Sequence, residues 1–444
     1  LNALPHSGSA PRVVGHGSRS VWLTPWGLTV AGPRRARTGF LSRTAVMRRR
    51  YRRGAGGHGP GRRSLDRAMT SPRPDRAPVD ACPGALQTHA AADGALARVR
   101  IPGGAVTGPQ LRVLARATRD LGAGALELTS RGNLQLRGLR AGAETELGDR
   151  LAAAGLLPSA THERVRNVLA SVLSGRWGGR LDVRPWVADF DAGLCADATL
   201  ADLPGRFLAT FDDGRGDVAG LTGDVGLLAL DPATVALLLG GADSGLRAAP
   251  DAAVALALAA TRAFREVRAS DGGTAWRLAE VPDGVARVVA RLGGEVAADV
   301  LVPAAPLQGP AGAVRQHDGR TALVAVVPLG RLTAGQAELL AETADDLQVT
   351  PWRSVVLPDQ PDAGASAALT AAELVLDAGS PWVSVTACAG RPGCAKSLAD
   401  VRADATAALV TGALPAGGAR QHWAGCERRC GRPPGDVVDV VATG

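Results

Sequence analysis

One short segment occurs twice in this chain, and the repeat limits the folds available to it. IPGGAVTGPQ, which begins at Ile101, aligns without a gap with VPLGRLTAGQ, which begins at Val327. Both copies predict the same order of elements: a strand, a glycine turn, a helix capped by threonine, and another strand. Each copy is too small to bury its own apolar face. The duplication therefore predicts two half-units that pair into one domain.

The two copies agree at the residues that begin their helices. Thr333 and Gln336 are the equivalents of Thr107 and Gln110. A threonine cap followed three residues later by glutamine is typical of a helix start. The first copy then continues as GALELTSRGNLQLRGL, which predicts a pair of strands interrupted at residues 131–133.

Four cysteines near the carboxy end are spaced as C-x5-C and then, after a long interval, C-x3-C. They are Cys388, Cys394, Cys426 and Cys430. Four thiolates in two pairs match the needs of a [4Fe–4S] cluster, in which each iron takes one sulfur from the protein. Residues 395–410 have helical periodicity, so we expect the first pair on a loop that enters a helix. A helix N-terminus favours the negative charge of a thiolate-ligated cluster.

Two other roles for these cysteines are weighed against the cluster. A structural zinc site favours C-x2-C or C-x4-C, so five intervening residues are wide for one. Disulfides are disfavoured because nothing upstream resembles a secretory signal, and Cys82 and Cys195 are left over. We interpret these two as small buried hydrophobic residues. Cysteine usage thus predicts a cytoplasmic protein.

The basic charge of the chain belongs to its amino-terminal segment. Residues 1–68 hold fourteen arginines against one acid, Asp66, for a balance of +13. Because the whole chain carries +8, the other residues carry −5. An Arg-rich arm is compatible with nucleic-acid binding or a transit peptide. Because the chain begins at Leu1 and Met69 could serve as a start, we expect residues 1–76 to be disordered or to lie outside the native coding sequence.

Hydropathy and segment order suggest a soluble chain with a repeated plan. Hydrophobic residues make up 46% of the chain, and no apolar run approaches membrane-spanning length. The segment around residues 202–232 predicts strands joined by Asp-Gly and Gly-Asp turns. The expected units after the basic extension are a first half-domain at 77–145, a first α/β domain at 146–303, a second half-domain at 304–362 and a cysteine-bearing domain at 363–444.

From about residue 80 to its end, the chain resembles the sulfite/nitrite reductase superfamily. The resemblance rests on the duplicated unit, the T-x-R-x-x-x-Q-x-R strand that begins at Thr129, and the cysteine spacing. It implies an α+β fold: duplicated ferredoxin-like half-domains form one domain. Two α/β domains complete it, the first binding a tetrapyrrole and the second holding a [4Fe–4S] cluster. Within the superfamily, ACPGAL…DGALARVRIPGG and HWAGCERRCGRP are most similar to the precorrin-3B synthases.

The resemblance also implies candidate residues for binding an acidic tetrapyrrole. These are Arg131, Gln135, Arg137, Arg166 and Arg206. Guanidinium groups bind carboxylates bidentately, which suits a macrocycle that bears acetates and propionates. Leu208 replaces the second lysine of the reductases' L-P-R-K-F-K motif, and this departure weakens the sulfite or nitrite reductase alternative. Catalytic residues are not assigned.

The implied activity is oxidation of precorrin-3A with O2, as in aerobic cobalamin biosynthesis: hydroxylation followed by γ-lactone formation. The resemblance also implies electrons from an external donor reduced by NAD(P)H. No G-x-G-x-x-G opens a helix after a strand, so we do not expect the chain to bind NAD(P)H directly. The family also implies a mononuclear non-haem iron, for which no ligand set can be chosen; His422 is one candidate. The alternatives are a sirohaem-dependent sulfite or nitrite reductase, a non-catalytic iron–sulfur electron carrier, and a nucleic-acid-binding module.

Overall fold

The computed structural model describes residues 51–54, 82–303 and 308–443. The strands within these ranges are β1 (Tyr51–Gly54), β2 (His89–Ala91), β3 (Gly94–Val99), β4 (Ala105–Thr107), β5 (Ala125–Leu128), β6 (Leu134–Leu139), β7 (Val168–Ala170), β8 (Ala209–Asp212), β9 (Val225–Ala229), β10 (Val235–Leu239), β11 (Ala242–Ala248), β12 (Gly312–Arg315), β13 (Thr321–Val326), β14 (Arg331–Thr333), β15 (Asp346–Val349), β16 (Ser354–Gln360), β17 (Val385–Ala387), β18 (Gln421–Ala424) and β19 (Val438–Ala442).

The α-helices within the same ranges are α1 (Gly108–Leu121), α2 (Ala143–Ala153), α3 (Arg184–Ala196), α4 (Ala253–Ser270), α5 (Gly284–Leu292), α6 (Ala334–Thr343), α7 (Ser366–Ala371) and α8 (Val401–Val410). Helices and strands alternate in both halves of the chain, which confirms the mixed α+β class. Across the described residues, every helix is too short or too polar to span a bilayer.

The two copies of the repeat form one domain by exchanging a strand. The first sheet has the order β14-β5-β6-β3-β2, and the second has the order β12-β13-β16-β15-β4. Thus β14 of the second copy pairs with β5 of the first, while β4 of the first copy pairs with β15 of the second. Leu114, Leu126 and Leu340 lie in one hydrophobic core that both copies share. The predicted pairing of the ferredoxin-like half-domains is confirmed.

Both repeat helices begin with the same pair of hydrogen bonds. The hydroxyl oxygen of Thr107 accepts from the backbone N–H of Gln110 at 3.3 Å, and Gln110 Oε1 accepts from the backbone of Thr107 at 3.0 Å. The corresponding distances at Thr333 and Gln336 are 3.2 and 2.9 Å. Each box satisfies donors that have no partner within the helix, so the predicted threonine caps are confirmed.

The first α/β domain is built on the sheet β11-β10-β9-β8-β7. Strands β7, β8 and β9 are parallel, and α3 and α4 cover a core that contains Phe190, Phe211 and Phe264. The sequence predicted β8 and β9 to be joined by a simple turn, and this was wrong. The carboxylate of Asp212, at the end of β8, accepts hydrogen bonds from the backbone N–H groups of Gly214, Gly216, Val218 and Ala219. These bonds organise a crossover between parallel strands.

The carboxy-terminal domain has the sheet order β1-β19-β18-β17, in which the last three strands are parallel. Strand β1 adds antiparallel to the edge at β19. The ring of Tyr51 packs edge-on against Trp423 at 4.9 Å, and its hydroxyl donates to Asp404. Residues 51–54 therefore depart from the disorder expected for residues 1–76. The rest of that segment up to residue 76, with its nucleic-acid-binding hypothesis, lies outside the described residues.

Candidate metal centre and the adjoining arginine face

The two cysteine pairs meet at one edge of the carboxy-terminal sheet. Because β17 and β18 are parallel, their carboxyl ends lie at the same edge. Cys388 directly follows β17, and its backbone N–H donates to Trp423 O at 2.9 Å. The N–H of Gly425, one residue before Cys426, donates to the Cys388 sulfur at 3.3 Å. The fold thus brings together two segments that lie far apart in the sequence.

The cysteine loops are tied to each other by further backbone hydrogen bonds. Leu398 N–H donates to Gly425 O at 2.8 Å, and Cys394 N–H donates to Gly390 O at 2.8 Å. A side chain at Gly425 would collide with Ser397, whose hydroxyl lies 1.8 Å from the position of an added Cβ. Only glycine allows this approach of the two loops.

The cysteine sulfurs lie in surroundings that fit thiolate ligands. Cys388, Cys394 and Cys426 are partly buried, and Cys430 is exposed. Burial raises the pKa of the Cys388 thiol; the backbone N–H groups of Gly425 and Gly390 act against this, and the neighbouring Cys430 and Cys426 add to it. Backbone donors aimed at sulfur are typical of iron–sulfur sites. The donor set therefore fits the predicted cluster.

A single ion fits these sulfurs less well than a cluster does. Four thiolates around zinc, each at about 2.3 Å, lie about 3.8 Å from one another. No three of the described cysteine sulfurs are as close together as a zinc ion requires. Across the described residues, only Asp212, Asp213 and Asp217 bring three ligand atoms within 4.8 Å of one another. Their carboxylates already accept hydrogen bonds from backbone N–H groups, Arg215 and Ser171. The expected mononuclear iron is therefore not supported by a ligand set in this part of the chain.

The helix after the first cysteine pair begins later than predicted. The sequence predicted a helix over 395–410, but α8 begins at Val401. Asp400 is its N-cap, and its carboxylate accepts the N–H of Ala403 at 3.1 Å. The residues between Cys394 and Asp400 thus form a loop. The N-terminus of the helix is occupied by the carboxylate of Asp400 and does not directly adjoin Cys394. The cysteines are held by loop hydrogen bonds instead.

His422 lies on β18, close to the backbone of Cys430. Its Nδ1 shares a hydrogen bond with the Thr386 hydroxyl at 2.9 Å, and the residue is fully buried. Burial lowers its pKa to about 3, the charges of Arg353 and Arg432 lower it further, and the Cys430 backbone opposes the change. Its buried Nε2 has no hydrogen-bond partner in the described structure. A neutral imidazole is thus held beside the last cysteine loop.

The polar face of the first repeat sheet adjoins these loops. It carries Arg98, Gln135 and Arg137 and is called the arginine face below. Arg98 donates to Gln135 Oε1 at 3.0 Å, and Gln135 donates to Glu127 Oε2 at 2.8 Å. Arg137 pairs with Asp93 at 3.0 Å and also donates to the carbonyl of Gly393, next to Cys394. Gln135 and Arg137 therefore share this face, and Arg137 is occupied in joining the half-domain to the cysteine loop.

The three other candidate arginines differ in how far their charge is already used. Arg166 is held by both oxygens of Asp191, at 2.7 and 2.6 Å. Arg131 forms no ion pair with any described residue; burial and the nearby Arg277 lower its pKa to about 10. Arg206 is exposed, and its guanidinium stacks over Trp276 at 4.8 Å. Arg131 and Arg206 thus keep charge for a ligand, whereas the charge of Arg166 is neutralised.

Sequence reasoning missed two arginines of this region. Arg98 and Arg100 alternate along LARVRIP, so they leave the same face of the strand, and this alternation was a usable signal. Arg100 is 3% exposed, and its guanidinium donates to the carbonyls of Arg164 and Pro83. Burial, with the charge of Arg98, lowers its pKa to about 9. The cationic region is therefore larger than the sequence suggested.

Comparisons with known proteins agree with this architecture. The family model for the nitrite/sulfite reductase ferredoxin-like half domain matches residues 89–154. A ferredoxin–nitrite reductase from Synechococcus elongatus is 28% identical over 395 residues, which cover 79% of this chain and 76% of the relative. The comparisons support the nitrite/sulfite reductase superfamily. This relative, a nitrite reductase, is an oxidoreductase.

Two further likenesses add less, because one is short and the other concerns only the fold. A Sinorhizobium precorrin-3B synthase is 46% identical, but over only 61 residues, or 14% of this chain and 13% of the relative. The solved structure of the Mycobacterium tuberculosis NirA protein has a TM-score of 0.63 and 22% identity, and the match covers 76% of this chain and 69% of that one. The second likeness concerns the fold alone. The superfamily is thus supported more broadly than any one branch.

Proposed function

We propose that the chain is an oxidoreductase that binds an acidic tetrapyrrole between the arginine face and the four-cysteine loops. The observation that carries this proposal is Arg131, a partly buried guanidinium that forms no ion pair in the described structure, although the carboxylate of Asp224 acts on it from nearby. A buried unpaired cation is costly unless a ligand supplies the counter-charge. The carboxylates of a tetrapyrrole supply such charges. Arg100 lies close enough to Arg131 for that charge to lower its pKa, and the exposed Arg206 offers a further guanidinium without an ion pair in the described structure.

The cysteines and the arginines have separate tasks in this proposal. Cys388, Cys394, Cys426 and Cys430 would hold a [4Fe–4S] cluster, which transfers single electrons when bound. Arg131 binds and orients a carboxylate of the macrocycle, while stacking on Trp276 limits the positions that Arg206 can adopt. The electrons come from an external donor.

The longer match favours a sirohaem-dependent nitrite or sulfite reductase. The ferredoxin–nitrite reductase covers most of both chains, and such relatives imply an iron–sulfur cluster and sirohaem. In this form the cations of the arginine face hold the sirohaem carboxylates. The substrate is then a small anion that also needs a cationic pocket.

Two observations favour precorrin-3A oxidation with O2, the activity of precorrin-3B synthases, as the second candidate. The short match to a precorrin-3B synthase has the higher identity, 46%. In addition, Leu208, which replaces a reductase lysine, is buried in an apolar cluster with Leu169 and Val218. That position therefore adds no charge for a small anion. The macrocycle is then the substrate, and its carboxylates bind the same arginines.

One purification distinguishes these functions. The protein is prepared without air, and its iron, sulfide and bound tetrapyrrole are quantified together. Sirohaem absorption with turnover of nitrite or sulfite supports the reductase. Cluster absorption without sirohaem, followed by O2-dependent conversion of precorrin-3A, supports the synthase. A cluster with no affinity for sirohaem or precorrin-3A leaves the electron carrier, and protein that binds only zinc contradicts the proposal.

A further inference from the structure

Arg353 occupies a backbone position that glycine occupies in the other copy of the repeat. Thr350 and Arg353 align with Thr129 and Gly132, and both turns are closed by a threonine hydroxyl that accepts a backbone N–H. The φ angle is 61° at Arg353 and 63° at Gly132. This left-handed conformation is free for glycine but strained for a residue with a side chain. A strained residue at such a position suggests a functional role.

The side chain of Arg353 extends to the last cysteine loop. Its Nη2 donates to the carbonyl of Gly431 at 2.7 Å, and Gly431 directly follows Cys430. The side chain passes closely over Gly330, where an added Cβ would lie 2.5 Å from Arg353 Cδ. Arg353 is itself only 8% exposed. The side chain is therefore confined by its contact with Gly330 and fixed at its end by the hydrogen bond to the last cysteine loop.

The charge of Arg353 has no ion-pair partner among the described carboxylates. Glu127, the nearby acid, is already paired with Arg402 at 2.6 Å. Burial and the charge of Arg402 lower the pKa of Arg353 to about 10, so it remains protonated at neutral pH. A buried, unpaired cation that donates to the residue after Cys430 supplies positive charge at a ligand loop of the anionic cluster.

We propose that Arg353 is a positioning residue for the iron–sulfur cluster. It fixes the Gly431 carbonyl, and with it Cys430, while its charge stabilises the more negative, reduced state of the cluster. The inference rests on the cluster of the proposed function. It adds a residue from the second half-domain to a centre whose ligands all come from the carboxy-terminal domain.

The test uses the full chain, purified without air, with four variants. Arg353→Gly removes the side chain and restores the residue type of the first copy, so it relieves the backbone. Arg353→Met removes the charge, and Arg353→Lys keeps the charge but loses the planar fork. Arg428→Met is the matched control, because Arg428 is an exposed cation two residues before Cys430. Iron and sulfide content, the rate of cluster loss to a chelator, and the cluster midpoint potential are measured.

We expect Arg353→Gly and Arg353→Met to lose the cluster about tenfold faster than wild type, since residues that support metal ligands typically contribute this much. Their midpoint potentials shift to more negative values. Arg353→Lys loses the cluster faster but keeps a potential near that of wild type, and Arg428→Met matches wild type in both measurements. If the Met and Lys variants fail to fold, Arg353→Gly decides the test.

Wild-type loss rate and potential in Arg353→Gly would overturn the role of Arg353 and leave the cluster intact. Potential shifts of equal size in Arg428→Met would also contradict it, because any nearby charge would then suffice. A wild-type protein without iron and sulfide would contradict the proposed function itself. The two failures are therefore distinguishable.

Discussion

Arg402 Nη2 lies 2.6 Å from Oε1 of Glu127, and this ion pair joins helix α8 to strand β5 of the first half-domain. The two side chains are 21% and 12% exposed. Glu127 also accepts a hydrogen bond from Gln135, and Arg137 lies 3.9 Å away. One carboxylate thus anchors the carboxy-terminal domain to the arginine face of the repeat sheet.

We expect Glu127→Gln to lower the free energy of unfolding by about 2–4 kcal/mol, because it leaves partly buried arginines without their counter-charge. Urea unfolding of the wild type and the variant measures the change. Glu338→Gln is the control, since it breaks the more exposed Arg119–Glu338 pair and should produce little change. Equal effects of the two substitutions would contradict an anchoring role for Glu127.

The cluster assignment predicts different outcomes for the cysteines. Replacing Cys388, Cys394, Cys426 or Cys430 by serine should abolish or strongly reduce bound iron and sulfide, because each would supply one ligand. Cys195→Ser should retain the full content. Cys195 packs beside the core of the first α/β domain, where burial raises its pKa. Metal analysis and visible absorption after anaerobic purification give the answer, and a Cys388→Ser protein with wild-type iron would refute the assignment.

Arg131 and Arg166 should respond differently to substitution because only one is paired. Arg131→Ala should weaken tetrapyrrole binding about 10- to 100-fold, the loss expected for one charge-assisted hydrogen bond, with little effect on stability. Arg166→Ala should mainly destabilise the fold, because it leaves Asp191 without its partner. Absorption titration with sirohaem or precorrin-3A and urea unfolding separate the two effects. Arg116→Ala, at an exposed helix position, should change neither.

Local patterns in the sequence predicted those parts of the fold that depend on neighbouring residues. The caps at Thr107 and Thr333 were predictable because each involves a glutamine only three residues away. The α+β class and the pairing of the two half-domains followed from the repeat itself. The exchange of β4 and β14 was not predictable, because short strands pair through long-range contacts that leave little trace in either copy.

The sequence predicted which residue types form the site, but not which of their charges are paired with one another. The candidate status of Arg166 rested on its motif, whereas its charge is taken up by Asp191 on helix α3. Arg353 carried no sequence signal, because its importance depends on a left-handed backbone and on the distant Gly431. A sequence identifies which charges are available, but only the fold decides which are already neutralised.

Asp217 should make stability depend on pH. Burial and the neighbouring charge of Asp212 raise its pKa to about 6. The folded state therefore binds this proton more tightly than the unfolded state. The resulting stabilisation is present below about pH 4 and is lost as the pH rises through about 6, an effect of up to about 3 kcal/mol. Urea unfolding between these pH values should show this decline in the wild type and in Asp251→Asn, an exposed control. A decline that persists in Asp217→Asn would contradict the assignment.

Strand β1 should contribute to the stability of the carboxy-terminal domain although it lies before Met69. Tyr51 is 8% exposed, packs on Trp423 and donates to Asp404. We expect Tyr51→Ala to lower the free energy of unfolding by about 3–5 kcal/mol, as for other large buried rings.

A chain that begins at Met69 should lose the iron–sulfur cluster faster than one that begins at Val46. The shorter chain lacks β1, so its strand β19 has an open edge. Arg53→Ala, which changes an exposed residue of the same strand, is the control and should behave as wild type. Equal stability and cluster retention in the chains that begin at Val46 and Met69 would show β1 to be dispensable and would restore the interpretation of this segment as an appendage.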